Sequence, residues 1–263
     1  MKVDRIINGD CLEVIKKLPD SSVDLIVADP PYNLKKNFGK KSVVWSDLEK
    51  WLEWSKEWIN IAVKKLKPTG SIFIYGIHRY MCYIQVHLYD LGLKYRRQFI
   101  WHYENSFSGY QKVPSAQYEP LLWFSKSDDF TYHQIRVPYK STQRLKNKIV
   151  KNGKVWQPNP KGKHAGDVWS FPILAGKRFE NERVDHPTQK PLSISNRIVK
   201  HFSNENDVVL IPFAGSGSEC VSCILNNRRF IGIEINDEYI PIIEKRIEEA
   251  KQPQDPDLFT ESI

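Results

Sequence analysis

Residues 23–34 read VDLIVADPPYNL. An apolar run ends in an acid, two prolines and a tyrosine. The prolines remove two backbone N–H donors and bar a helix. Asp29, Pro30, Pro31 and Tyr32 therefore make a rigid turn carrying a carboxylate, bare carbonyls and an aromatic face. This set suits an amine whose lone pair is delocalised into a ring, which is a poor nucleophile. Acceptors that hold both amine hydrogens favour the tetrahedral shape that attack requires. Asp29 supplies one acceptor. The Pro30 carbonyl, its direction fixed by Pro31, supplies the other, and Tyr32 offers a stacking surface. The expected contribution is positioning and electrostatics, with Asp29 also placed to take a proton.

The second set is VVLIPFAGSGSE at 208–219. A buried strand pattern runs into Gly215 and Gly217, which allow close backbone approach to a ligand. The helix that follows aims N–H groups at a carboxylate or phosphate. One helix and one strand later, FIGIEIND places Glu234 about 17 residues past Gly217, where an acid accepts from ribose hydroxyls. The phosphate-cradling pattern GxxxxGK[ST] does not fit. A ligand with ribose and no phosphate is favoured, and S-adenosylmethionine is one.

Both sets need strands to hold them. Arg5–Ile7 reads as a strand and Cys11–Leu18 as a helix. Val23–Ala28 is a continuous apolar strand of the kind buried on both faces of a parallel sheet. Residues 48–66 carry Trp51, Trp54, Trp58, Ile61 and Ala62 at helical spacing, and Pro68-Thr69-Gly70 is expected to stop that helix. A strand at Ser71–Tyr75, a helix over 80–91 and β-rich runs at 95–103 and 120–126 follow. From 127 to 185 the chain is polar, rich in Pro and Gly, and without sustained period, so it reads as an insert. Helices are expected at 190–202, 216–227 and 238–250, with strands at Val208–Pro212 and Phe230–Ile235. The alternation predicts a doubly wound α/β sheet whose ligands sit beyond the strands' carboxyl ends. The expected division is a catalytic half at 1–126, an insert at 127–185, a cofactor-binding half at 186–250, and a frayed tail at 251–263.

The 263 residues are 41% hydrophobic, enough for one large core, and carry a net charge of +8. No membrane span and no secretory signal is read. Four cysteines fit a reduced, cytoplasmic setting, and Cys220 and Cys223 read as buried thiols rather than half a metal site. The charge is concentrated. Ten basic residues lie between Lys126 and Lys163, opposed by Asp128 and Asp129. Tyr132, Tyr139 and Trp156 are interleaved with them, as in nucleic-acid-binding surfaces.

DPPYN at 29–33 together with PFAGSG at 212–217 resembles the S-adenosylmethionine-dependent DNA amino-methyltransferases, which modify adenine N6 or cytosine N4. The acid in DPPY is more like the adenine enzymes. The catalytic motif precedes the glycine loop, with an insert between, as in the circularly permuted beta class. HPTQKP at 186–191 and the segment around RVPYKSTQRLKN are similar to MboII-type members. The resemblance implies a seven-stranded, mostly parallel, Rossmann-like sheet with the strands before the two motifs adjacent. It implies catalytic roles for Asp29, Pro30, Pro31 and Tyr32. It implies S-adenosylmethionine contacts from Asp10, Cys11, Asp29, Thr188, Lys190, Phe213, Gly215, Ser216, Gly217, Glu234 and Asn236. The insert becomes a target-recognition region, with Arg136, Lys140, Arg144, Lys146 and Lys148 on duplex DNA, the target base flipped out, and no metal. It leaves room for a second copy of the chain and a cognate restriction endonuclease as partners, in the cytoplasm of a prokaryote or phage, at the nucleoid. Cytosine N4, RNA, and a DNA-binding module with a weakened site stand as alternatives. Three positions depart from the usual DPFxGSGTT pattern. Ile211 stands where the pattern has an acid, and Ser218-Glu219 replaces Thr-Thr.

Overall fold

The computed structural model describes residues 1–34, 45–105, 112–141 and 143–252, apart from the Arg144 side chain. The rest of the predicted tail, 253–263, lies outside the described residues. Along the chain run β1 (Arg5–Asn8), α1 (Cys11–Lys16), β2 (Val23–Ala28), α2 (Leu48–Lys65), β3 (Leu66–Tyr75), α3 (Met81–Asp90), β4 (Lys94–His102) and β5 (Tyr118–Ser125). Then come β6 (Arg136–Val137), α4 (Gln143–Lys146), β7 (Ile149–Lys151), β8 (Lys154–Trp156), β9 (Lys163–His164) and β10 (Val168–Ser170). The chain closes with α5 (Leu192–His201), β11 (Val208–Ile211), α6 (Ser218–Leu225), β12 (Arg229–Glu234) and α7 (Ile240–Lys251).

The main sheet has eight strands in the order β1-β12-β11-β2-β3-β5-β4-β10. All neighbours are parallel except at β5, which runs antiparallel to both β3 and β4. The seven-stranded expectation is corrected by β10. This strand comes from 127–185 and pairs with β4 through Val168, Trp169 and Ser170. Three residues with one buried side chain, Trp169, carry too little period to be read from sequence. Within the same stretch β6 pairs with β9 and β7 with β8 as separate two-stranded units.

The predicted stop at Pro68–Gly70 also needs correction. α2 ends at Lys65 and β3 begins at once, carrying Pro68 and Gly70 inside a strand whose pairing with β2 is irregular near Val23 and Leu25. An irregular strand start tolerates a residue without an N–H. A side chain at Gly70 would come within 3.2 Å of the Asp24 carbonyl on β2, so the backbones approach closely there.

Helices cover both faces of the sheet. α2 is capped by Asp47, which accepts from Lys50 N at 2.9 Å, and it buries Trp51, Trp58, Ile59 and Ala62. These pack with Ile26, Ile72 and Leu210 on one face. Phe73, Trp123, Trp169 and Phe202 fill the other, with α5 and α7 above them. Each large aromatic removes about 150–250 Å² from water, worth about 4–6 kcal/mol before entropy is counted. Cys220 and Cys223 are buried in this second core, and burial pushes both thiols well up. No helix among the described residues is long and apolar enough to cross a membrane.

Candidate active site

The chain passes from β2 to β3 on one side and from β11 to β12 on the other. The switch point of the sheet therefore lies between β2 and β11, which pair in parallel at Leu25–Val209 and Ile26–Leu210. Such a point opens a crevice past the strand ends. DPPY leaves β2 and PFAGSG leaves β11 into one cavity of about 360 Å³, within the range of small-molecule sites. Asp29, Pro30, Pro31 and Tyr32 line it on one side, and Phe213, Gly215 and Ser216 on the other. Asp10 and Cys11 enter from the start of α1, Glu234 and Asn236 from the end of β12, and Thr188 and Lys190 from the turn before α5.

Asp29 is held by two donors. The Tyr32 hydroxyl donates to its Oδ1 at 2.5 Å, and Lys190 Nζ lies 3.0 Å from its Oδ2. Both donors also reach Glu119 Oε2, at 3.2 Å each. Lys190 is buried and sits 5.2–5.6 Å from the ring centroids of Tyr32, Tyr75 and Trp101. Burial alone would push its ammonium down, but the Asp29 and Glu119 carboxylates more than offset this and hold it above the ordinary lysine value. Burial, then the charge of Asp29, pushes the Tyr32 phenol well up, so it stays a donor. The turn is braced from behind, where Trp51 Nε1 donates to the Pro31 carbonyl at 2.8 Å.

Lys190, expected as a cofactor contact, meets the catalytic carboxylate directly. Glu119 and Trp51 were not foreseen. Glu119 reaches the site because β5 runs antiparallel, which brings its first residues beside the last ones of β3. Trp51 carried only its helical period as a signal.

The glycine loop is tied down with equal care. Glu234 Oε2 accepts from Gly215 N and its Oε1 from Asn236 N, both at 2.8 Å. Burial raises the Glu234 carboxyl and these backbone donors pull it back in part, leaving it above the ordinary value. From α7, Arg246 Nη1 donates to the Ser216 carbonyl at 2.6 Å. Gly215 has φ 52°, and a side chain there would come within 3.1 Å of His186 Nε2. Burial pulls the His186 imidazole down to about 4, so it is neutral near pH 7. Gly217 does not line the cavity. It precedes α6 at φ 80°, and a side chain there would meet Ile243 Cγ2 at 2.8 Å, so its part is the turn and the packing of α7. Asp10 caps α1, accepting from Leu12 N at 2.7 Å. Cys11 is buried beside it, and burial raises its thiol to about 12. Phe213 stands edge-on to Trp58, with centroids 5.2 Å apart, on an aromatic wall that continues to Trp54 and Trp45.

The expected DNA contacts divide. Lys140, Lys146 and Lys148 are exposed. Arg136 is committed within the insert, donating to the Gly162 carbonyl at 2.9 Å and to Gln134 Oε1 at 2.7 Å. Its structural work was invisible in a run of like charges. Nothing is described of the Arg144 side chain.

The N6_N4_Mtase family model, described as DNA methylase, matches residues 23–245 and so spans both motifs and everything between them. The chain belongs to this DNA methylase family. Among curated proteins the methylase is 37% identical over 249 residues to DNA adenine methyltransferase YhdJ of Escherichia coli, covering 93% of this chain and 83% of the relative. It is 32% identical over 252 residues to Type II methyltransferase M1.MboII of Moraxella bovis, covering 91% and 95%. Among solved structures it is similar to the M1.HpyAVI–SAM complex, with TM-score 0.63, 26% identity and 92% and 98% of the two chains covered. The cytosine-N4-specific PvuII DNA methyltransferase shares the fold at TM-score 0.69 and 17% identity.

Proposed function

We propose that this methylase transfers a methyl group from S-adenosylmethionine to the N6 amine of adenine in duplex DNA. The observation that carries the reading is the convergence of the Asp29–Tyr32 turn and the Gly215 loop on one cavity, with Asp29 fixed by Lys190 and Tyr32. The cofactor fits the wall on chemical grounds. The aromatic side at Phe213 suits an adenine ring, Glu234 keeps lone pairs for ribose hydroxyls beyond its two backbone donors, and Glu219 adds a buried acid for a cationic tail. When bound, S-adenosylmethionine supplies an electrophilic methyl on a sulfonium.

The chain's own residues do the rest. Asp29 and the Pro30 carbonyl accept the two amine hydrogens and so expose the nitrogen lone pair. Trp51 keeps the turn from yielding. Lys190 holds Asp29 in place without competing as a proton acceptor. The aromatic wall of Phe213, Trp54 and Trp45 would shield a bound sulfonium from water. An adenine N6 is out of reach inside the helical stack, so the base must be flipped out at a cost of a few kcal/mol. The exposed Lys140, Lys146 and Lys148 hold phosphates meanwhile. Adenine rather than cytosine N4 is favoured by the acid that opens DPPY and by the adenine-specific name of YhdJ. The Type II methyltransferases among the relatives support a restriction-and-modification setting, and a cognate endonuclease and a homodimer are the partners we carry with this reading.

The test is transfer of labelled methyl from S-adenosylmethionine to unmethylated duplex DNA. Asp29→Ala should abolish transfer while keeping DNA binding. Near-normal turnover of that variant would remove Asp29 from the mechanism. Charge reversal at Lys140, Lys146 and Lys148 should lose DNA binding and its salt dependence, each phosphate contact being worth about one unit of salt slope, while keeping cofactor binding.

A further inference from the structure

Glu219 is the one departure from the usual glycine-loop pattern that reaches the cavity. It lies in the first turn of α6, lines the cavity wall, and is 5% exposed. Ser195 Oγ, from α5, donates to its Oε1 at 2.9 Å. The cations nearby are committed elsewhere. Lys190 Nζ is on Asp29 and Glu119, and Arg246 Nη1 is on the Ser216 carbonyl and Ser218 Oγ. No ion pair to Glu219 occurs among the described residues. Burial, then the charge of Asp29, pushes its carboxyl up. A buried carboxylate held only by neutral donors, here Ser195 and its own backbone N–H, is costly to ionise and is relieved by a cation placed against it. Ile211, at the end of β11, is buried and apolar and offers nothing to such a cation.

S-adenosylmethionine carries two cationic centres, the sulfonium and the α-ammonium of its amino-acid tail. The sulfonium must face Asp29, where the acceptor amine is held, and the glycine loop lies on the opposite side of the cavity. We propose that Glu219 accepts the α-ammonium of the cofactor tail, from a helix turn rather than from the strand end at Ile211. The proposal rests on the cofactor site described above. It gives Glu219 a binding role that depends on the tail alone.

Two ligands separate this role from packing. S-adenosylhomocysteine keeps the ammonium tail but has a neutral sulfur. 5′-Methylthioadenosine has the same nucleoside and no amino-acid tail. Calorimetric titration of the full chain with each is the test, using Glu219→Gln, which retains shape and the acceptor for Ser195. The variant should bind S-adenosylhomocysteine at least tenfold more weakly and 5′-methylthioadenosine within twofold of the wild type. Its melting temperature without ligand should be unchanged or higher, since a buried charge has been removed. Equal losses for both ligands, no loss for either, or tighter S-adenosylhomocysteine binding would overturn the proposal. Wild-type protein that binds neither ligand would overturn the cofactor pocket itself, and the proposal with it.

Discussion

Replacing Lys190 with methionine probes the electrostatic centre of the site. The ammonium is buried and shared, 3.0 Å from Asp29 and 3.2 Å from Glu119. Methionine fills a similar volume but leaves two carboxylates facing each other, with Tyr32 as the donor common to both. Removing one partner from a buried ion pair costs about 3–5 kcal/mol, against about 0–1 kcal/mol for an exposed pair. At about 2–4 °C per kcal/mol for a chain near this size, Lys190→Met should melt roughly 6–20 °C lower. The pairing raises the Lys190 value above its unfolded 10.5, so its stabilisation is fully present below that pH and is lost only as pH climbs through the raised value. The loss should therefore be seen throughout the neutral range. Glu119→Gln in the same background removes one of the two repelling charges and should recover at least about 1 kcal/mol in a double-mutant cycle. The assay is thermal unfolding of the four proteins at pH 7.5. A Lys190→Met variant that melts within 2 °C of the wild type, or a double variant no more stable than the single one, would refute the shared-cation account.

Trp51→Phe keeps an aromatic, though smaller, side chain and loses the bond to the Pro31 carbonyl, worth about 1 kcal/mol. Turnover should fall about fivefold with cofactor affinity unchanged, measured by steady-state kinetics and titration. Gly217→Ala forces a side chain into a left-handed position against Ile243. It should cost about 2–5 kcal/mol of stability by denaturant unfolding. His186 has its value lowered to about 4, so the unfolded chain binds its proton first. Stability should fall as pH drops from 6.5 towards 4, and His186→Gln should flatten that slope in pH-dependent melting curves.

What could be read in the sequence was local. DPPY and the glycine loop announce themselves because proline and glycine constrain their own neighbourhood, and each follows a strand whose apolar run is unbroken. The meeting of the two loops was implied by the family resemblance, and the pairing of β2 with β11 bears it out. Glu119 was hidden because an antiparallel strand delivers its first residues to the site, and no local pattern marks that reversal. Lys190 was seen as a motif position, but its partner was fixed by the cage of Tyr32, Tyr75 and Trp101, drawn from three separate strand ends. Gly217 read as a ligand contact because glycine serves both close approach and left-handed turns, and only Ile243 decides between them. β10 was lost within the basic stretch because pairing at a sheet edge needs three residues and no periodic face.

The cavity between β2 and β11 should methylate adenine on its exocyclic amine. Duplex DNA lacking modified bases should be incubated with the protein and S-adenosylmethionine, digested to nucleosides and analysed by mass spectrometry. N6-Methyldeoxyadenosine should form with the wild-type chain and not with Asp29→Ala. N4-methyldeoxycytidine in its place, or no methylated nucleoside at all from a wild-type protein that binds S-adenosylmethionine and DNA, would contradict it.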